Sequence, residues 1–291
     1  MVLSSTVRPG PNVCGPKEAQ ERGSSLRPGI RSYVLRSGRT SAAQKRAYDG
    51  LSPRYRVPFS AGFLDYAALF GNSNPVTVEI GFGMGRAAAG IAQANPDRNY
   101  LGIEVHKPGI GRLLWEIEKR SLVNIRIVER DAVETLEKMI AGGSTAAFHI
   151  FFPDPWPKKR HHKRRLVTRP FTALLAEKLR PGGYIYMATD WEDYARWALA
   201  ELSATEGLRN PYAACPETAL YSEAACPDAA CSDAGAPGAV RGEDAAEASP
   251  FGITKSNGFA PPQPWRPRTE FEAKGLAKGH KIWELYVVKE Q

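Results

Sequence analysis

Val76-Thr77-Val78-Glu79-Ile80-Gly81-Phe82-Gly83-Met84-Gly85, with Arg86 and an alanine-rich run to Ala94 behind it, decides the fold of this chain. Four of the first five residues are β-branched and predict a buried strand. Three glycines at alternate positions then permit a tight turn whose backbone amides approach a ligand at a helix N-terminus. Asn95-Pro96-Asp97 ends the helix that follows.

The rhythm of strand, turn and helix repeats outward from there. Residues 100–105, 123–128, 147–152 and 184–188 read as strands, and residues 109–120, 132–140, 166–179 and 191–202 as helices. The run 147–152 is almost continuously apolar, as a strand covered on both faces should be. Arg180-Pro181-Gly182-Gly183 supplies the proline and glycines expected past a helix end. A last strand pattern occupies 281–289. Such alternation predicts an α/β fold with a doubly wound parallel sheet, whose ligands bind beyond the carboxyl ends of the strands where the winding direction switches.

At 291 residues and 43% hydrophobic, the chain can bury one large core. Its net charge of +8 is unevenly spread: residues 213–250 hold seven acids against Arg241 alone, leaving the rest at +14. A domain that basic favours a polyanionic partner. Thirteen of those 38 residues are alanine, and the segment reads as a mobile insertion that cannot offset its ordering entropy. Residues 1–30 read as a disordered leader. Residues 31–56 read as a basic arm, with Tyr33, Tyr48 and Tyr55 interleaved among arginines and lysines. Cys14, Cys215, Cys226 and Cys231 lack the paired spacing of a zinc site. No export signal or run of ~18 apolar residues is evident, so a cytoplasmic protein without membrane or metal is expected.

Two clusters carry chemistry. The first is the turn containing Glu79, Gly81, Gly83 and Gly85. Arg86 stands where a dinucleotide fingerprint needs its third glycine, and an acid precedes the turn. A carboxylate there suits a cationic ligand such as S-adenosylmethionine better than a pyrophosphate. Glu104 at one strand end is placed for ribose hydroxyls, and Asp131 at the next for an adenine amine. The pattern leaves open methyl transfer, a nucleotide-dependent oxidoreductase, or a turn without ligand.

The second cluster is Phe151-Phe152-Pro153-Asp154-Pro155-Trp156-Pro157-Lys158-Lys159-Arg160-His161-His162-Lys163-Arg164-Arg165. Two prolines restrict the backbone on either side of Asp154. Trp156 reads as an exposed stacking face, and six cations without an acid suit phosphates or a base. Asp190 either caps the helix after it or accepts donors from a substrate ring. Arg266 to Glu272 reads as extended.

Together EIGFGMG at 79–85, GIEVH at 102–106, the block at 151–165, ATDWEDYA at 188–195 and RTEFE at 268–272 resemble the bacterial tRNA (guanine-N7-)-methyltransferase family, a class I S-adenosylmethionine-dependent group. The resemblance covers about residues 31–212 and 262–289. It implies a mostly parallel seven-stranded sheet with an antiparallel C-terminal strand, a methyltransferase domain at 57–291, and methylation of guanosine N7 in tRNA. It further implies that Glu79, Glu104, Asp131 and Asp154 bind S-adenosylmethionine, Asp154 also standing at the catalytic position. Lys158, Asp190, Thr269, Glu270, Phe271 and Glu272 would then contact the target nucleotide, and Arg160, His161, His162, Lys163, Arg164 and Arg165 the RNA. Glu270 departs from a family position that is often basic, and the 213–250 insertion lies outside the family pattern. The rival readings are an exocyclic-amine RNA methyltransferase, because DPW is similar to the turn those enzymes use, and a non-catalytic RNA-binding domain.

Overall fold

The computed structural model describes residues 32–33, 40–213 and 257–291. The leader expected at 1–30 and nearly all of the insertion expected at 213–250 lie outside the described residues. Seven strands build one sheet: β1 (Val76–Ile80), β2 (Asn99–Glu104), β3 (Ile125–Glu129), β4 (Thr145–Phe151), β5 (Leu179–Thr189), β6 (Leu208–Arg209) and β7 (Trp283–Lys289). Their order is β3-β2-β1-β4-β5-β7-β6. Pairing is parallel from β3 through β5, and β7 runs antiparallel to both β5 and β6. The expected doubly wound seven-stranded sheet with its antiparallel C-terminal strand is therefore present. The winding direction reverses between β1 and β4, which is where such sheets open a crevice.

Helices cover both faces. On one side lie α1 (Ala42–Tyr55), α3 (Arg86–Ala94) and α4 (Lys107–Arg120), whose Ala47, Ile91, Leu113 and Ile117 join one core cluster. On the other lie α5 (Ala132–Met139), α6 (Arg169–Lys178) and α7 (Glu192–Ser203), with Met139, Phe171 and Tyr194 in a second cluster. Strand alternation feeds both: Val76, Val78 and Ile80 point to the second cluster, whereas Tyr100 and Phe151 belong to the first. The short α2 (Tyr66–Phe70) precedes β1, and α8 (Glu270–Leu276) precedes β7.

Three expectations need correction. The basic arm is helical from Ala42, where Ser41 and Gln44 form a capping box. Its Ala47 and Tyr55 are buried, and the Tyr48 hydroxyl donates to Glu129 Oε2 at 2.6 Å. This part of the arm belongs to the fold. Residues 180–183 do not separate a helix from a strand, because β5 already starts at Leu179 and runs through them beside a register shift opposite Thr145 and Ala147. The proline sits at that irregular, exposed beginning, where it forfeits little of the ladder. Residues 270–276 form α8 instead of an extended segment.

One close approach holds α4 against the loop after β1. A Cβ on Gly109 would drive into the Gly83 carbonyl oxygen, a backbone atom that cannot swing away. Gly109→Ala should therefore cost about 1–3 kcal/mol of stability and displace the glycine loop. Urea unfolding together with S-adenosylmethionine titration checks this; unchanged values for both would contradict the packing described.

Candidate active site

The glycine loop, the end of β2, the start of α5 and the loop after β4 surround one cleft of about 640 Å³. Among its lining residues are Gly81, Gly83, Glu104, Asp131, Asp154 and Phe271. Gly81, Gly83 and Gly85 all take positive φ (72°, 56° and 67°), conformations that side chains rarely adopt. The loop's geometry thus demands glycine at each of the three positions.

Glu104 organises this wall. Its Oε2 accepts the Gly83 amide at 2.8 Å, and its Oε1 accepts those of Val105 at 2.7 Å and His106 at 3.0 Å. The amide that a dinucleotide site would turn toward phosphate is here committed to a carboxylate. Asp131 caps α5, its Oδ1 accepting the Val133 and Glu134 amides at 2.9 and 3.2 Å. Arg130 also lines the cleft, but both ends of its guanidinium are held by Glu134 at 2.7 and 2.9 Å. Glu104 and Asp131 on this wall and Asp154 across from it, with the nearest guanidinium already paired, make a cleft that fits a cationic ligand free of phosphate, as S-adenosylmethionine is. Glu79 and Gly85 do not line the cleft. Glu79 is buried beneath the loop, and desolvation, with the Glu104 charge behind it, pushes its carboxyl up to about 8.

Opposite, Pro153 and Asp154 leave β4. Asp154 is exposed and no protein donor is seen against its carboxylate among the described residues. Phe152 and Trp156 flank it at φ 51° and 49°. Bulky side chains in that left-handed region carry strain, and surrounding contacts must hold them there. For Phe152 the partner is Phe271, ring centroids 5.3 Å apart. Trp156 is not the free stacking face that was expected: its indole N–H donates to the Ser32 carbonyl at 3.2 Å, and Arg164 lies over its ring at 4.8 Å.

The cationic block divides by exposure. A short 3₁₀ helix, Lys159–Arg164, presents Lys159, Arg160 and Lys163 to solvent, with Lys158 just before it. Partial desolvation and the surrounding cations lower the His161 pKa. His162 is half-buried against Trp197. Arg165 stands apart from the RNA-facing group expected of it. It is 3% exposed, donates to the Pro155 carbonyl at 3.1 Å, pairs with Asp193 and lies over Tyr194 and Trp197. Its charge braces the loop from inside. No cluster of metal-ligating side chains occurs among the described residues.

Residues 269–272 divide in the same way. Thr269 caps α8 through the Glu272 amide at 3.0 Å, and Glu272 answers through the Thr269 amide at 3.3 Å. Glu272 is also buried in a two-pronged pair with Arg266 at 2.6 and 2.9 Å. Burial pushes its carboxyl up, but Arg266 and the Thr269 amide outweigh that and hold it low. Glu270 pairs with Arg86, the residue that breaks the dinucleotide pattern. Phe271 alone of the four lines the cleft. Asp190 does not cap α7, whose N-cap Trp191 has no side-chain bond; it pairs with His280. Sequence reasoning named Tyr33 in the basic arm and Phe152 in the cationic block without placing either at the cleft, and it did not single out His280. Tyr33 and His280 come into place through contacts distant in the chain.

Comparisons with known proteins follow the same line. A family model described as "Putative methyltransferase" matches residues 73–219. The chain is 42% identical over 262 residues to the tRNA (guanine-N(7)-)-methyltransferase of Nitrosospira multiformis, covering 90% of this chain and 95% of that protein. With the protein of the same name from Ralstonia nicotianae it shares 44% over 257 residues, 88% of this chain and 85% of the relative. The Polaromonas sp. relative, also so named, is 40% identical over 277 residues, 95% and 96% of the two chains.

The buried Glu79 makes a testable demand on stability. Its folded carboxyl titrates near 8 and its unfolded one near 4.5, so the folded state holds a proton the unfolded state has lost. Ligand-free stability should fall across that window as pH rises, by a few kcal/mol at most. Glu79→Gln should flatten the slope between about pH 5 and pH 8 in urea unfolding. Equal slopes in both proteins would contradict the burial argument.

Proposed function

The chain belongs to the tRNA (guanine-N7-)-methyltransferase family and transfers a methyl group from S-adenosylmethionine to N7 of a guanosine in tRNA; we propose that the cleft between the glycine loop and Asp154 is where it does so. The observation that carries this placement is the sharing of one cleft by Gly83, Glu104, Asp131 and Asp154. When bound, S-adenosylmethionine supplies an electrophilic methyl on a positively charged sulfur. Glu104 and Asp131 would hold its ribose and adenine side beside the glycine loop, and the carboxylates of the cleft would balance its charge. Glu79 acts from beneath by supporting the loop.

Guanine N7 carries an in-plane lone pair and no proton, so this chain needs no general base. Its task is positioning and charge stabilisation. Asp154 and Asp190 accept from the guanine N1–H and exocyclic amine, orienting N7 and stabilising the cationic ring that methylation creates. Lys158 and the face of Phe271 complete the nucleotide side. Lys159, Arg160 and Lys163 meet the RNA backbone, with His161, His162 and Arg164 at the edge of that contact. A cytoplasmic location is part of this proposal, supported by the tRNA substrate named for the relatives. No helix among the described residues is long and apolar enough to cross a membrane.

The direct test is methylation of unmodified tRNA with methyl-labelled cofactor, followed by borohydride and aniline cleavage. Scission at a labelled guanosine is expected, and label on an exocyclic amine would replace this reading with the amine methyltransferase. Asp154→Asn should keep the fold and lower kcat by about a hundredfold or more, because the carboxylate's charge is what the product ring requires. Wild-type turnover in that variant would remove Asp154 from the mechanism. Replacing Lys159, Arg160 and Lys163 together by alanine should weaken tRNA binding and reduce the slope of log K against log salt by about 2. Filter binding across a salt series measures it; an unchanged slope would move the RNA contact elsewhere.

A further inference from the structure

We infer that His280 is a positioning residue for the nucleotide side of the site, holding Asp190 in the orientation that receives the guanine; the inference rests on the function proposed above. His280 lies in the loop between α8 and β7, ninety residues from Asp190 in the chain, yet its Nδ1 stands 2.9 Å from Asp190 Oδ2. An ionised carboxylate can only accept, so Nδ1 carries the shared proton. Asp190 makes no other protein hydrogen bond among the described residues, which leaves its second oxygen for a ligand. Its side chain is 13% exposed and that of His280 42%, so the carboxylate is the more enclosed of the two.

The surroundings show that the pair is built into the fold. The His280 amide donates to the Gly275 carbonyl at 3.0 Å, closing the chain back onto the last turn of α8. A Cβ on Gly275 would stand 3.5 Å from Asp190 Oδ2 and 3.6 Å from His280 Nδ1, so α8 packs directly on the two interacting atoms. At the other end of α8, Arg266 grips Glu272 and, at 2.6 Å, Glu284 of β7. The helix that carries Phe271 into the cleft is held at its first turn by Arg266, and its last turn lies against the Asp190–His280 pair. Asp190 follows β5 directly after Thr189, with Trp191 exposed beside it. Without His280 the carboxylate would rotate freely about its last bond, and the orientation that pairs with a guanine edge would be one among several.

A carboxylate that loses its orienting donor loses rate at saturating substrate more than it loses cofactor binding. His280→Ala should lower kcat for tRNA about tenfold, while the S-adenosylmethionine dissociation constant and the thermal midpoint stay within error of wild type. His280→Asn, whose amide N–H₂ can occupy the place of Nδ1–H, should recover most of the loss. In combination with Asp190→Asn, His280→Ala should add little further. Full kcat in His280→Ala overturns the inference. So does an equal loss in the asparagine variant, or a loss accompanied by weaker cofactor binding and a lowered midpoint, since those mark a purely structural role. Wild-type protein assayed in parallel by position mapping separates the two levels: if it does not methylate guanosine N7, the proposed function fails and this inference with it.

Discussion

The parallel pairing of β1 with β4 is the constraint on which the rest of the molecule depends. Val78 faces Phe148 and Glu79 faces His149 across that ladder, so the two strands end side by side. The chain leaves β1 toward β2 and β3, and leaves β4 in the opposite direction toward β5. Among the described residues no connection closes the gap between their carboxyl ends, so a ligand can reach both exits at once. Hydrogen bonding within the sheet thereby brings the glycine loop and the Asp154 loop to one cleft.

Much of the local sequence then serves to hold the two exits rigid. Glu104 commits its carboxylate to three backbone amides and so fixes the glycine loop against the end of β2. Arg165 turns inward beneath the DPW loop, and Arg266 binds two buried carboxylates beneath α8. Arg266 helps to hold Glu272 low, whereas burial pushes Glu284 up to about 7 despite the Gln263 amide. Such buried charges are expensive to strand, and they lock geometry more than they add net stability. By comparison, among the described residues no hydrogen-bonding partner is seen for the side chains of Asp154, Lys159, Arg160 and Lys163.

The architecture was legible because it is written in periodicity. Near-continuous apolar runs gave the parallel strands, and their glycine and proline boundaries fell within a few residues of the observed ends. What escaped were elements whose signal is not periodic. α1 buries only Ala47 and Tyr55, so its cations masked a helix that the Ser41–Gln44 capping box announced. β6 has two residues and exists through pairing with β7 alone. At the cleft, motif membership grouped residues that lie near one another without distinguishing side chains open to the cleft from buried braces. Arg165 and Lys163 look alike in a string of cations, and only burial tells them apart. Glu270 and Arg86 each departed from an expected pattern, and each is the other's partner. Asp190 and His280 are joined by tertiary structure, which a local reading cannot supply.

The measurement that bears most directly on this account is a crystal structure of the protein with S-adenosylhomocysteine and 7-methylguanosine 5′-monophosphate bound together. The account predicts the thioether sulfur beside the glycine loop at Gly83 and the N7 methyl facing it, with the guanine edge against Asp154 and Asp190. A nucleotide seated outside the cleft, or one whose N7 faces away from the sulfur, would contradict it.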